Sequence, residues 1–270
     1  MRIFAAAVGL LVVAAPAFAQ APAATWNGLP DRFQIDAGYF HLEADTVLRF
    51  EGADEIDFER DLAVPDGTNT FWLDATWRAG RRHQIKLSFT RLSRERRDHT
   101  LTRDFTWGGQ TYQAGLTTNT DTGADVFGGY YRFALLKRER YEAGPTVGIG
   151  HLSLDARIRA TGNVGGASAT IDRSASKGHV TGAVGGYASA WAAERLLVYG
   201  DFLYIKVNPG DSQASVTDWR VGANYYVFRN AGVAAQYKYN RYRYEEDIVS
   251  SELGGHITFQ GFQAFLSFLF

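Results

Sequence analysis

Phe262-Gln263-Ala264-Phe265-Leu266-Ser267-Phe268-Leu269-Phe270 closes the chain, and its pattern decides the fold. Successive side chains of a strand point to opposite faces, so Phe262, Ala264, Leu266, Phe268 and Phe270 share one continuously apolar face. Gln263 and Ser267 fall on the other. A segment of this length with one apolar and one polar face is the unit of a membrane-spanning β-barrel, in which lipid-facing and lumen-facing residues alternate.

The same period recurs upstream. Phe33, Ile35, Ala37 and Tyr39 alternate with Gln34, Asp36 and Gly38; Phe71, Leu73, Ala75 and Trp77 alternate with Trp72, Asp74, Thr76 and Arg78. After the short turn at Gly80, Ile85, Leu87 and Phe89 continue as the second arm of a hairpin. Phe127, Tyr131 and Phe133 lead through Lys137–Arg140 into Ala143, Pro145, Val147 and Ile149, with Pro145 expected near a strand start or a bulge. Residues 180–191, 196–207, 216–228, 233–244 and 256–270 complete the set. The pattern predicts an all-β, up-and-down antiparallel transmembrane barrel of about ten strands, with twelve or eight as alternatives. Twelve would follow if the pair 100–106 and 111–117 entered the ring; these segments are expected instead to extend strands three and four beyond the membrane. Connections alternate between short turns near Gly80, Arg138, Glu194 and Asn230 and longer polar loops at 53–68, 94–122, 159–177, 209–214 and 247–255. Short turns on one side and long loops on the other predict a periplasmic and an exterior end.

The first residues, Met1-Arg2-Ile3-Phe4-Ala5, precede an apolar run to Ala15 and then Pro16-Ala17-Phe18-Ala19-Gln20. That layout predicts a signal peptide over 1–19, cleaved after Ala19, a short periplasmic segment over 20–30, and a barrel over 31–270. No later stretch approaches the apolar length of a transmembrane helix. There is no cysteine, which excludes disulfides and thiol chemistry. A net charge of -1 and the absence of a nucleic-acid motif argue against nucleic acid as a partner. Abundant aromatics (14 %) and glycine (29 residues) with few prolines (6) suit strands and aromatic girdles.

The terminal pattern of Phe262, Leu266, Phe268 and Phe270 resembles the signal by which the barrel-assembly machinery recognises its substrates, and implies that machinery as a partner during biogenesis. As a whole the chain resembles the small outer-membrane β-barrel proteins of proteobacteria. The stretches Ile56-Asp57-Phe58-Glu59-Arg60-Asp61-Leu62 and Trp77-Arg78-Ala79-Gly80-Arg81-Arg82-His83 are similar to ones in uncharacterised barrels of that kind. The resemblance implies a bacterial outer-membrane location and carries no activity with it.

If the apolar face meets lipid, the opposite face lines the lumen. Its ionisable residues are Asp36, Asp74, Glu142 and Asp201 against Lys86, Arg132, Arg220 and Lys238. Four acids face four bases, with Gln34, Asn224, Gln236, Asn240 and Gln263 between them. Unpaired charge is costly in a confined interior, and small barrels are just wide enough for their side chains to fill. A plugged, charge-paired lumen is therefore expected, with a narrow porin-like channel as the alternative; no ring of a single charge sign marks an ion-selective pore.

Three other constellations offer chemistry. Arg91, Arg94, Arg96 and Arg97 stand where outer headgroups are expected, and guanidinium forks suit lipopolysaccharide phosphates. The acidic run Glu51, Asp54, Glu55, Asp57, Glu59 and Asp61 lacks any calcium-loop pattern, so a solvated loop is expected rather than a metal site. His151-Leu152-Ser153 resembles in spacing the His-x-Ser of lipid A deacylases, but Leu154 replaces that family's following Asn, and alternation turns His151 and Ser153 toward lipid. No segment matches the motif of outer-membrane phospholipase A. Tyr237, Tyr239, Tyr242 and Tyr244 suit an aromatic belt and the upper lumen. The expectation is a non-enzymatic barrel without cofactor or metal, with outer-membrane lipids and lipopolysaccharide as partners. No stripe on the lipid face is distinctive enough to fix an oligomeric state.

Overall fold

The computed structural model describes residues 32–50, 55–107, 110–164, 167–207, 212–246 and 253–270. The predicted signal peptide (1–19) and the segment 20–30 lie outside the described residues. The elements are β1 (Phe33–Phe50), β2 (Glu55–Asp57), α1 (Phe58–Asp61), β3 (Gly67–Arg78), β4 (His83–Thr100), β5 (Phe105–Trp107), β6 (Gln110–Tyr112), β7 (Thr117–Phe133), β8 (Leu136–Lys137), β9 (Tyr141–Val164), β10 (Ala167–Ala193), β11 (Leu196–Val207), β12 (Ser212–Tyr226), β13 (Ala231–Glu246) and β14 (Leu253–Leu269).

Ten of these strands form one closed antiparallel ring in the order β1-β3-β4-β7-β9-β10-β11-β12-β13-β14, β14 pairing back onto β1. Closure leaves no edge within the ring. The pair β5–β6 forms a separate two-stranded sheet. β2 adds to the long-loop end of β1, and β8 to the short-turn end of β9. The segment 159–177, expected as a loop, is instead ladder: β9 and β10 pair continuously from Tyr141↔Ala190 to Val164↔Ala167. Its Ala, Ser, Gly and Thr residues carry no lipid-facing stripe, so alternation could not disclose strands lying beyond the apolar band.

That band is the outer surface of the short-turn half. Leu73, Trp77, Ile85, Leu87, Phe127 and Tyr131 are exposed there, as are Val147, Ile149, Val184, Phe202, Val221, Phe262 and Leu266 around the rest of the ring. Toward the long-loop end the apolar phase inverts. Along β9, Val147 and Ile149 point out, whereas Leu152, Ala156 and Ile158 point in and are buried. β1 changes from Tyr39 outward to Leu42, Ala44 and Leu48 inward, and β14 from Phe262 outward to Phe259 and Ile257 inward. The inversion keeps one height, because the register aligns Phe89, Phe127 and His151 on the outer face and Leu92, Ala124 and Leu154 one step beyond on the inner face. The long-loop half therefore holds an ordinary hydrophobic core inside the ring, to which Phe58, Leu62, Phe105 and Tyr112 of the loops contribute.

At the lower edge of this core Trp72 meets Phe265 edge-to-face, with centroids 4.9 Å apart. Gly38 lies between their strands, where an added Cβ would come within 2.4 Å of the Phe265 Cβ. Only glycine admits that approach.

Candidate functional site in the lumen

Pairing register brings the ionisable residues of the short-turn half to neighbouring levels. Asp36 lies beside Asp74 across β1–β3, and Asp201, Arg220 and Lys238 lie side by side across β11, β12 and β13. Long side chains then bridge the interior. Asp74, 1 % exposed, accepts from Lys86 Nζ at 2.6 Å and from Arg220 Nη1 at 2.6 Å, the latter from the opposite wall. Asp201 accepts from Arg132 Nη2 at 2.5 Å and from Arg220 Nε, and Lys86 Nζ stands 3.6 Å away. Two carboxylates and three cations thus form one cross-linked cluster. Tyr187 lies against Arg132, whose guanidinium is 5.0 Å from its ring centre.

The other predicted lumen charges join smaller groups. Asp36 accepts from Gln34 Nε2 at 2.8 and 2.9 Å. Glu142 accepts from Arg78 Nη2 at 2.8 Å and Gln84 Nε2 at 2.6 Å. Lys238 Nζ lies 4.0 Å from Asp218. Alternation with Asp74 and with Arg220 places Arg78 and Asp218 on the inner face too, and with them the named inner-face charges of the short-turn half are five acids and five bases. Amides fill the spaces. Gln236 bonds Gln263 and accepts from Tyr199 Oη at 2.8 Å, Asn224 Nδ2 donates to Ser267 Oγ at 3.0 Å, and Asn240 is buried nearby. A polar cleft of about 670 Å³, solvent-open space included, enters from the short-turn end and ends on Lys86, Arg132, Asp201 and Arg220.

At the long-loop end the described part of the first loop folds into the ring. Asp57 caps α1, accepting from the Arg60 backbone N–H at 2.7 Å, and the turn carries Ile56, Phe58, Leu62 and Val64 into the core with no more than 2 % exposure. Arg94, expected among the lipid-phosphate arginines, is buried instead. It follows Leu92 on the inner face, is 2 % exposed, pairs with Glu59, and donates to Thr46 Oγ1 at 2.6 Å and Pro65 O at 3.3 Å. Arg91 and Arg97 do point outward, but Arg91 holds Asp125 at 2.8 and 2.7 Å and Arg97 holds Asp121 at 2.7 Å and Glu95 at 2.9 Å. Arg96 is exposed.

The acidic run is also structured rather than merely solvated. Asp61 is buried and receives Arg103 Nε at 3.0 Å, Arg60 Nε at 3.1 Å and the Asp57 N–H at 3.0 Å. Burial raises its pKa, but the hydrogen bonds from Arg103, Arg60 and the backbone outweigh that and bring it down to about 2. Glu51 and Asp54 lie outside the described residues. Among the described residues no group of acids and histidines is arranged to hold a metal.

His151 and Ser153 both face outward, as alternation requires. Asp125, the acid across the ladder from Ser153, is taken by Arg91. Tyr237 and Tyr239 point outward with their ring centres 5.5 and 5.8 Å from that of Trp219, while Tyr242 turns inward against Phe259. The side chain of Tyr244 lies outside the described residues. Phe262, Leu266 and Phe268 form an outward row on β14, and Phe270 lies 6.3 Å from Phe33.

No protein-family model matches the chain, and no curated protein does. Solved structures do. The outer membrane protease OmpT of Escherichia coli superposes with a TM-score of 0.61 at 14 % identity, over 89 % of this chain and 97 % of that one. The translocator domain of the autotransporter NalP of Neisseria meningitidis gives 0.45 at 10 % identity, over 99 % and 96 %. The Pseudomonas putida toluene transporter TodX gives 0.40 at 11 % identity, over 90 % of each chain. The fold is that of an outer-membrane β-barrel.

Proposed function

We propose that this chain is a non-enzymatic β-barrel of the bacterial outer membrane whose lumen is closed, and that it serves envelope structure or presents its loops at the surface. The apolar band over the short-turn half is the surface a bilayer requires, and short turns at one end with long loops at the other support a periplasmic and an exterior end. The observation that carries the closed reading is the cross-lumen cluster, in which Arg220 joins Asp74 and Asp201 from opposite walls. A second barrier lies above it, where Phe58 and Leu62 of the first loop and Arg94 of β4 are buried within the ring. A solute would have to part both.

A narrow channel for small solutes is the second reading. It is favoured by the polar cleft, which already reaches the cluster from the periplasmic end. Single-channel recording of the refolded mature protein in planar bilayers separates the two. The closed reading predicts a silent bilayer after heat-modifiable gel migration has shown a folded barrel; steady, salt-dependent openings would replace it with the channel.

A further inference from the structure

The outward arginines Arg91 and Arg97 at the long-loop end hold carboxylates, whereas those of the opposite rim are differently placed. Arg81 and Arg82 occupy the β3–β4 turn, Arg138 and Arg140 the β7–β9 turn, Arg195 the β10–β11 turn and Arg229 the β12–β13 turn. All six are exposed, and the acids exposed in the same four turns are Glu139 and Glu194. Among the described residues, Arg81, Arg82, Arg138, Arg140 and Arg229 form no ion pair. In the ring order these turns recur every second strand except across the β14–β1 seam, so the excess positive charge is spread round most of the rim instead of gathering in one patch.

The height of the ring is fixed by what adjoins it. Trp77, Tyr131, Tyr141, Tyr225 and Phe228 are exposed within a few residues of these arginines. Such aromatics mark the interface between hydrocarbon and headgroups. Arginine on a flexible stem beside that interface can lay its methylenes along the apolar surface and its guanidinium among the headgroups. A guanidinium fork matches phosphate oxygens.

We propose that this rim is a binding ring for the phosphate headgroups of anionic phospholipids in the leaflet that surrounds the short-turn end. The proposal rests on the reading of the chain as a membrane barrel. A leaflet supplies phosphate all round the perimeter at that height, and so meets each of the four spaced turns. A soluble acidic partner would call for a patch facing away from the membrane. Lipid-phosphate recognition is thereby assigned to the end opposite Arg91, Arg94, Arg96 and Arg97.

The test uses the full mature chain refolded into vesicles of phosphatidylcholine with about one third phosphatidylglycerol, the negatively charged headgroup patch being worth roughly fivefold in partitioning per basic residue. After extraction in a neutral detergent, bound lipids are counted by native mass spectrometry. Phosphatidylglycerol should be retained at least fivefold over phosphatidylcholine. The preference should collapse in the variant carrying R81S, R82S, R138S and R140S and survive in R91S/R96S. It should weaken in the unaltered protein at about 1 M salt, where exposed charges are screened, which keeps the test decisive if the fourfold variant does not fold. Equal retention of the two lipids, a preference untouched by the rim substitutions, or displacement by millimolar inorganic phosphate would each overturn the proposal. Heat-modifiable migration in the same samples reports whether the barrel is embedded, so failure of the lipid ring is told apart from failure of the membrane reading.

Discussion

Replacing Asp74 by asparagine removes one charge from the centre of the lumen and changes almost nothing in shape. Breaking a buried ion pair by neutralising one partner costs about 3–5 kcal/mol, because the remaining charge is left uncompensated. Here Arg220 keeps Asp201, and Lys86 keeps Asp201 at 3.6 Å, so the lower end, about 3 kcal/mol, is expected. With a urea dependence of about 2 kcal/mol per molar, the unfolding midpoint falls by roughly 1.5 M. The matched control is Asp125→Asn, which breaks the Arg91 pair on the surface, where side chains are 66 % and 38 % exposed. A pair in that setting is worth less than about 1 kcal/mol, so its midpoint moves by no more than roughly 0.5 M. Tryptophan fluorescence and heat-modifiable migration in lipid vesicles follow both. Adding Lys86→Met to Asp74→Asn removes the ammonium left with only the longer 3.6 Å contact to Asp201 and should recover at least half of the loss, a coupling visible in a double-mutant cycle. If Asp74→Asn costs no more than Asp125→Asn, or the double variant is as unstable as the sum of the two singles, the lumen charges are hydrated independently and the plug is not a cluster.

Two further outcomes follow from the same geometry. Because the Asp61 pKa is lowered to about 2 in the folded chain, its contribution is fully present above the unfolded carboxylate range near 3.9 and is lost as pH falls through 2. Hydrogen exchange in 55–66 should therefore stay slow down to about pH 4 and quicken below it, and Asp61→Asn should show the fast exchange already at neutral pH. At Gly148 an added Cβ would lie 2.4 Å from the Gly129 carbonyl oxygen and 2.5 Å from Tyr130. Gly148→Val should destabilise the folded barrel by about 1–3 kcal/mol in urea titrations, whereas Gly150→Ala, with its nearest contacts at 3.6 Å, should leave the midpoint unchanged.

Much of this was legible in the sequence because a barrel wall has a period of two and two unlike solvents. Alternation from Phe262, Ile85 and Val147 located the ring strands and placed Asp74, Lys86 and Arg220 on its inner side. It failed where a side chain's height mattered as well as its face. Arg94 has the parity of Lys86, but it lies beyond the level at which the inner face turns apolar, so it is buried beneath a loop and not offered to headgroups. In the first loop, Ile56, Phe58 and Leu62 stand between the acids and carry the signal of a segment with its own buried side. The long arms of β9 and β10 escaped because their outer face meets water instead of lipid and their buried inner stripe is short and built mostly of small residues, Ala156, Ile158 and Ala160. Ion-pair partners such as Arg220 and Asp74, 146 residues apart, depend on barrel diameter and register, which no local pattern encodes.

The inversion of the apolar phase between Ile149 and Leu152 has a consequence for how substitutions are tolerated along one strand. Below it, the solvent outside is oil and the interior is polar; above it, the two are exchanged. An aspartate at an outward position such as Val147 would have to be inserted into hydrocarbon, while the same residue at outward position 155 is already present and harmless. A leucine facing inward beside Arg132 would crowd a polar lattice, yet at 152 it is core. The wall is thus governed by two opposite rules of composition that meet at a single latitude, and a mutational scan would trace the edge of the bilayer as the line where the sign of every outward-facing substitution reverses.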